Sequence, residues 1–150
     1  MTTAQHDPSL LFPPSVEIRN SPIEGRGVFA RARIAAGVRL LEYTGEVILW
    51  ADAAQDEEHF YDFELDESRV LRPRENECTA MYVNHSCDPN CETHQEGDRL
   101  FYETLREIAP GEELSVNYFV QIEGATLEEG LRDYACRCGS PACKGTMLDV

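Results

Sequence analysis

Three cysteines near the end of the chain constrain its fold most. Cys136, Cys138 and Cys143 form a C-x-C-x4-C cluster, and three closely spaced thiols lack one ligand for a closed tetrahedral zinc site. The segment 84–91, which reads Asn-His-Ser-Cys-Asp-Pro-Asn-Cys, can supply the fourth thiol from Cys87. A shared zinc ion would pin the end of the chain over the polar Asn-His loop. We therefore expect a ligand to bind beneath this tail.

The six cysteines could instead form disulfides in a secreted protein. Residues 1–8 carry no Lys or Arg before an apolar stretch, so no secretory signal is visible. No run approaches the roughly 18 apolar residues that a membrane span needs. Metal binding in a reducing compartment is therefore the better interpretation. Cys91 lies close enough to Cys87 in the sequence to be a rival ligand.

The net charge of the chain limits the classes of partner that it can bind. Thirteen Lys and Arg residues stand against 28 Asp and Glu, which gives a formal net charge of −15. Contacts to nucleic-acid phosphates need a basic face, so the charge argues against nucleic-acid binding, including by a zinc ribbon. It favours a basic partner or simply an acidic surface. Residues 52–67 carry eight acids and no Lys or Arg, and this stretch either attracts a basic peptide or forms a solvated acidic face.

Short apolar runs punctuated by Gly and Pro predict one mostly β domain. With 150 residues, the chain is long enough for one compact core and short for two. Residues 1–15, with three prolines, are predicted to be a flexible arm. Alternating apolar and acidic residues at 61–66 predict a half-buried strand. The other predicted strands are 16–18, 27–30, 39–43, 46–49, 100–105 and 114–118. Helices are predicted at 51–60, 78–83 and 126–134, the last with Thr126 and Glu129 in capping-box positions.

Four segments, in this order, resemble the SET domain family of protein lysine methyltransferases. They are Gly-Arg-Gly-Val-Phe-Ala at 25–30, Glu-Tyr-Thr-Gly-Glu at 42–46, Asn-His-Ser-Cys-Asp-Pro-Asn at 84–90 and Gly-Glu-Glu-Leu-Ser-Val-Asn-Tyr at 111–118. The resemblance covers residues 16–145. It implies a SET-domain β-fold of several small sheets with short helices and a zinc-bound post-SET tail, without a pre-SET region. The implied division is a SET domain at 16–120, with an insert at about 50–77, and a post-SET segment at 121–150.

The resemblance also implies a reaction, cofactors and site residues. The reaction is methyl transfer from S-adenosylmethionine to a lysine side chain, with zinc as a second cofactor. Tyr118 matches the family's catalytic tyrosine and Tyr43 a tyrosine that lines the lysine channel; the alternative for both is a structural strand tyrosine. The residues that match the cofactor contacts are Gly25, Arg26, Gly27, Tyr82, Asn84 and His85. The residues that match the post-SET zinc ligands are Cys87, Cys136, Cys138 and Cys143.

The chemistry of this reaction needs a neutral amine. A free lysine, with a pKa of about 10.4, is neutral in roughly one molecule in 2,500 at pH 7. A narrow apolar channel and a nearby sulfonium charge both disfavour the ammonium form, so the environment can deprotonate the substrate without a strong general base. Aromatic walls suit such a channel, because they exclude water and align the lysine stem.

The sequence departs from the family pattern at two places. Glu77 and Cys78 stand where the family usually has Gly-Asn, and Met81 and Tyr82 stand where it has Arg-Phe. Tyr82 keeps an aromatic ring, whereas Met81 loses an arginine. Val116 stands where many members carry a Phe or Tyr that limits how many methyl groups fit. The number of methyl groups added is therefore left open.

The expected partner is a basic, lysine-containing protein or peptide, with a histone tail first among them. Neither direct nucleic-acid binding nor membrane association is expected. The expected location is intracellular, nuclear or on chromatin in a eukaryote and cytoplasmic in a bacterium. Two alternatives stay open: a catalytically silent module that binds a lysine-bearing tail, and a methyltransferase that acts on a non-histone protein.

Overall fold

The computed structural model describes residues 7–53, 62–118 and 126–148. Its described part consists mostly of short strands. The strands are β1 (Val16–Asn20), β2 (Arg26–Ala30), β3 (Arg39–Tyr43), β4 (Glu46–Leu49), β5 (Phe63–Glu64), β6 (Arg69–Arg72), β7 (Asn84–His85), β8 (Cys91–Glu96), β9 (Arg99–Thr104) and β10 (Ser115–Val116). The prediction of a mostly β fold built from several small sheets is thereby confirmed.

Four small sheets form the scaffold. β1 and β2 make an antiparallel hairpin, and its turn closes where the Ser21 N–H donates to the Gly25 carbonyl at 2.8 Å. Gly25 has a φ of +41° there, a left-handed conformation that glycine adopts at little cost. Two antiparallel sheets have the orders β3-β9-β8 and β4-β6-β5. The strand predicted at 61–66 is observed as β5, while residue 61 lies outside the described residues.

The fourth sheet pairs two distant parts of the chain. β7 and β10 run parallel, with Ser115 opposite Asn84 and Val116 opposite His85. Next to this pair, the Leu114 N–H donates to the Val28 carbonyl at 2.7 Å, which ties β10 to β2. The strand predicted at 114–118 is therefore shorter than expected, and residues 117 and 118 continue beyond it into the site.

The helices of the described residues are short: α1 (Pro8–Leu11), α2 (Trp50–Ala53), a 3-10 helix (Ala80–Tyr82) and α3 (Leu127–Asp133). α3 confirms the predicted capping box, because the Thr126 hydroxyl accepts the Glu129 N–H and the Glu129 carboxylate accepts the Thr126 N–H. The helix predicted at 51–60 is seen only as far as Ala53, beyond which it lies outside the described residues. None of the helices in these ranges is long and apolar enough to cross a membrane.

The N-terminal segment differs from the predicted flexible arm from residue 7 onwards. Asp7 caps α1 by accepting the Ser9 N–H at 2.9 Å, and Pro8 occupies the first helical turn, where its missing N–H costs nothing. Leu11 packs against the core, and its carbonyl accepts the Thr79 N–H at 2.8 Å. These tertiary contacts override the proline-rich composition. Residues 1–6 lie outside the described part, and the other domain boundaries stay predictions.

One apolar core joins the sheets. Its innermost side chains come from β2, β3, β9 and the segments that flank β10, and they include Val28, Leu41, Leu100, Ile108 and Leu114, all fully buried. Burial of such side chains stabilises the fold by roughly 1.5–3 kcal/mol each. Val116 of β10 belongs to this core, and Asn84 and His85 of β7, which pair with β10, are buried beside it.

Candidate functional site

Four thiols meet where the C-terminal segment crosses the end of β7. The Sγ atoms of Cys87, Cys136, Cys138 and Cys143 all lie within 4.8 Å of one another. The Cys87 and Cys136 sulfurs are 3.7 Å apart. Tetrahedral zinc with Zn–S bonds of about 2.3 Å places its sulfurs roughly 3.8 Å apart. The donor set and its spacing therefore fit zinc.

Backbone N–H groups donate to sulfurs of the cluster, and the thiolate is the form of cysteine that binds metal. The Lys144 N–H points to Cys87 Sγ at 3.4 Å, and the Gly145 N–H to Cys143 Sγ at 3.3 Å. Burial acts to raise the pKa of Cys138, but the N–H groups of Cys87 and Ser140, with smaller contributions from the Cys143 and Cys136 thiols, lower it to about 6. Burial and bonds to the other three thiols raise the pKa of Cys136, so negative charge in the cluster falls on Cys138 first.

Cys91, the rival ligand, lies apart from the four-thiol cluster. It begins β8 and is buried. Burial raises the pKa of this thiol to about 12, so it remains protonated. Among the described residues, Cys87 and not Cys91 lies with the other three thiols.

His85 lies between the four-thiol cluster and Tyr118. Its Nδ1 accepts the Tyr118 N–H at 3.0 Å, and its Nε2 lies 3.6 Å from Cys87 Sγ. The two rings meet edge to face, with centroids 5.4 Å apart. Burial, with a smaller effect from the Lys144 charge, lowers the pKa of His85 to about 4, so the imidazole is neutral at pH 7.

Tyr118 presents an accessible ring at the end of β10. Tyr118 is 41% exposed, and its hydroxyl donates to the Val83 carbonyl at 2.5 Å. Tyr102 and Tyr43, by contrast, are buried. The exposure leaves this side chain available to a ligand.

Tyr43, the second predicted channel tyrosine, lies in a buried group beside Tyr118. Its ring centroid is 6.0 Å from that of Tyr102. Burial first, and then the neighbouring Tyr102, Cys78 and Tyr118 groups, raise the pKa of Tyr43 well above its usual value. Burial likewise raises the pKa of Tyr102. These two phenols stay protonated, so the Tyr43–Tyr102 pair is uncharged.

Asn84 and Glu113 contact the glycine segment 25–27. The Asn84 amide lies within 3.1 Å of the Glu24 carbonyl, the Arg26 carbonyl and the Glu113 carboxylate. A Cβ on Gly27 would overlap that carboxylate. The close approach of Glu113 thus explains the glycine at position 27. The amide hydrogens of Asn84 are used in hydrogen bonds within the chain. Any contact of Asn84 with a cofactor must therefore use its other atoms.

Glu113 is the site residue that the sequence analysis missed. It also accepts the Ser21 hydroxyl at 2.8 Å. Its position inside the Gly-Glu-Glu-Leu segment was the only available signal, and that segment shows no local pattern that singles out the second glutamate.

Arg26, the middle residue of the glycine segment, lies over the ring of Tyr82. The Arg26 guanidinium carbon is 4.9 Å from the centroid of the Tyr82 ring, within cation–π range. The Tyr82 hydroxyl is buried and has no hydrogen-bond partner among the described residues. Met81, where the family usually has arginine, is buried in the core.

The described residues of the acidic stretch partly form ion pairs within the chain. Asp62 accepts two hydrogen bonds from Arg72 at 2.8 Å, and Asp66 pairs with Arg69 at 2.7 Å. Residues 54–61, which hold other acids of the stretch, lie outside the described residues. The choice between a peptide groove and a solvated face stays open.

The accessible tyrosine, the Asn-His strand, the glycine segment and the four-thiol tail together define the class of protein. A model of the SET domain family matches residues 25–119, and the chain belongs to this family.

Several curated proteins that are similar to this chain are named histone-lysine N-methyltransferases. The chain is 32% identical over 142 residues to the human histone-lysine N-methyltransferase 2B, covering 87% of this chain and 5% of the human protein. It is 34% identical to the H3 lysine-4 specific histone-lysine N-methyltransferase of Saccharomyces cerevisiae, covering 87% of this chain and 13% of that protein. It is 32% identical to the histone-lysine N-methyltransferase ash1 of Drosophila melanogaster, covering 89% and 6%. The chain thus spans only a small part of each of these relatives.

Proposed function

We propose that this protein is a protein-lysine N-methyltransferase that uses S-adenosylmethionine. The observation that carries the proposal is the exposed Tyr118 beside the uncharged Tyr43–Tyr102 pair, inside the matched SET region. A neutral aromatic wall disfavours a lysine ammonium, which is what an attacking amine requires.

In the proposed mechanism the chain binds and orients rather than acting as a strong base. Segment 25–27, Tyr82 and the strand Asn84–His85 would hold S-adenosylmethionine, which supplies an electrophilic methyl group when bound. Tyr43 and its neighbours exclude water and align the lysine stem. The lysine ammonium gives up its proton to bulk water as it enters the channel, and Tyr118 orients the resulting neutral amine through its phenol oxygen.

We further propose that zinc closes the four-thiol cluster and orders the tail. The spacing of the sulfurs and the lowered pKa of Cys138 support this assignment. Metal binding would then be part of the folding energy of residues 136–148, so metal content and activity would be coupled.

The proposed substrate is a histone tail or a similar basic segment. The net charge of −15 supports attraction of a basic partner, and the named relatives act on histones by their printed names. A chromatin location follows from this substrate in a eukaryote, and a cytoplasmic one in a bacterium.

The test is transfer of labelled methyl groups to purified core histones and to free histone peptides. Tyr118→Phe should lose transfer while cofactor binding largely survives, and Tyr134→Phe, which removes a phenol oxygen in the tail, is the matched control. Lys144 is the only lysine in the chain, so Lys144→Arg removes the one internal lysine that could take label.

Each outcome of this assay selects one function. Label on a histone lysine that is absent with Tyr118→Phe supports the proposal. Cofactor binding without histone labelling would move the substrate to a non-histone protein. No cofactor binding and no labelling would favour the silent binding module, for which the loss of an arginine at Met81 is the supporting observation.

A further inference from the structure

One imidazole touches both functional parts of the molecule. His85 Nδ1 accepts the Tyr118 N–H at 3.0 Å, while Nε2 lies 3.6 Å from Cys87 Sγ. The Tyr118 hydroxyl returns to the Val83 carbonyl, two residues before His85. The contacts therefore close a loop that runs from Cys87 through His85 and Tyr118 to Val83.

The direction of each hydrogen bond follows from the backbone. A backbone N–H can only donate, so Nδ1 of His85 must accept and carries no hydrogen. In a neutral imidazole the hydrogen then sits on Nε2, and that hydrogen faces the sulfur of Cys87. Thiolates accept such bonds better than thiols because the bond is charge-assisted.

We propose that His85 is a positioning residue that transmits the order of the four-thiol cluster to Tyr118. Binding of a metal ion fixes the position of the Cys87 sulfur, the sulfur fixes the orientation of the imidazole through its contact with Nε2, and Nδ1 of the imidazole holds the Tyr118 backbone. The inference rests on the proposed function only in taking Tyr118 as the residue that orients the amine. The link itself consists of contacts that exist whether or not the chain transfers methyl groups.

A filling role for the ring makes a different prediction. If His85 served only to occupy space beside Tyr118, a phenylalanine could replace it. Metal binding to the thiols would then have no effect on the Tyr118 amide. The two roles are separated by the Tyr118 amide, whose hydrogen exchange with solvent reports the bond to Nδ1 directly.

The first measurement is the protonation pattern of the ring. Long-range proton–nitrogen NMR spectra of cadmium-loaded protein labelled at histidine, with His85→Phe used for assignment, distinguish the two ring nitrogens. The expected result is a hydrogen on Nε2 and none on Nδ1. A hydrogen on Nδ1 would overturn the link, because Nδ1 could not then accept the Tyr118 N–H.

The second measurement is the exchange rate of the Tyr118 amide with metal bound and after chelation. In the natural protein, removal of metal should speed exchange about tenfold or more, relative to the Leu114 amide, which bonds to Val28 in the core. A Tyr118 amide that ignores metal removal would refute the proposal.

Variants separate the two halves of the link. His85→Asn keeps an acceptor near the Nδ1 position but cannot reach Cys87, so Tyr118 exchange should stay slow and become independent of metal. His85→Phe should exchange fast in both states. His94→Phe, at an exposed histidine of β8, is the matched control and should behave as the natural protein. Metal dependence that persists in His85→Asn would place the coupling elsewhere. If His85→Phe does not fold, the natural protein and His85→Asn still decide the question.

Discussion

Tyr82→Phe is expected to stabilise the protein, because it removes a buried hydroxyl that lacks a partner among the described residues. Leaving a buried donor unsatisfied costs about 1–3 kcal/mol. The small void left by the missing oxygen offsets part of the gain, so the free energy of unfolding should rise by about 1 kcal/mol. For a chain of this length the corresponding rise in Tm is roughly 2–4 °C.

The assay is urea denaturation of zinc-loaded, cofactor-free protein, with Thr104→Val as the matched contrast. The Thr104 hydroxyl is buried and fully used, since it donates to the Ala35 carbonyl at 2.8 Å and accepts the Val38 N–H at 2.9 Å. Its removal should destabilise the protein by about 1–3 kcal/mol. The two variants each delete one buried hydroxyl and should shift stability in opposite directions.

A loss of 1 kcal/mol or more with Tyr82→Phe would refute the reasoning, because it would show that the hydroxyl has a bond that stabilises the fold. Affinity for S-adenosylmethionine, measured on the same samples, separates the roles of ring and hydroxyl. Phe retains the ring beside Arg26, so unchanged affinity is expected. A weaker affinity in a stabilised protein would mean that the cofactor accepts a bond from the hydroxyl.

Four further outcomes are expected. Cys138→Ser should lower zinc content and methyl transfer together, and elemental analysis that finds a full complement of zinc would contradict the ligand assignment. A hydrogen bond from Arg69 lowers the pKa of Asp66 from 3.8 to about 2. This carboxylate therefore contributes stability above pH 3.8 that is lost as the pH falls towards 2, and Asp66→Asn should flatten the acid-unfolding curve in that window. Val116 is fully buried in the core, so Val116→Phe should overpack it and lower the free energy of unfolding by about 1–3 kcal/mol, as judged by urea denaturation. Higher salt should raise KM more than it lowers kcat, and a KM indifferent to salt would argue against charge-based recruitment.

Local signals predicted much of the fold. Alternation and Gly-Pro punctuation placed most strands within a few residues, and the Thr126–Glu129 pair placed α3, because strand period and helix capping are properties of neighbouring residues. The C-x-C-x4-C spacing, with Cys87, likewise predicted which thiols meet. The resemblance to the SET family is confirmed by the match over residues 25–119.

Long-range contacts escaped the sequence analysis. The Glu113 carboxylate beneath Gly27 and the His85 ring between Cys87 and Tyr118 join segments that no period or spacing connects. Composition also misled at α1, since prolines indicate a loose arm only where no tertiary contact fixes them. The catalytic, cofactor and zinc roles of the named residues stay predictions, because they concern groups that contacts within the chain alone do not test.

The parallel pairing of β7 with β10 has a consequence for biosynthesis. Asn84 and His85 find their partners only when Ser115 and Val116 have left the ribosome, and the thiols are complete only when Cys143 has followed. Pairing of such distant segments carries a loop-closure cost before any contact repays it, which slows folding. The growing chain must therefore keep Val28, Leu41 and Leu100 from aggregating until residues 114–116 have emerged. The four thiols come together later still, so synthesis that stops before Cys143 leaves the cluster without one of its sulfurs.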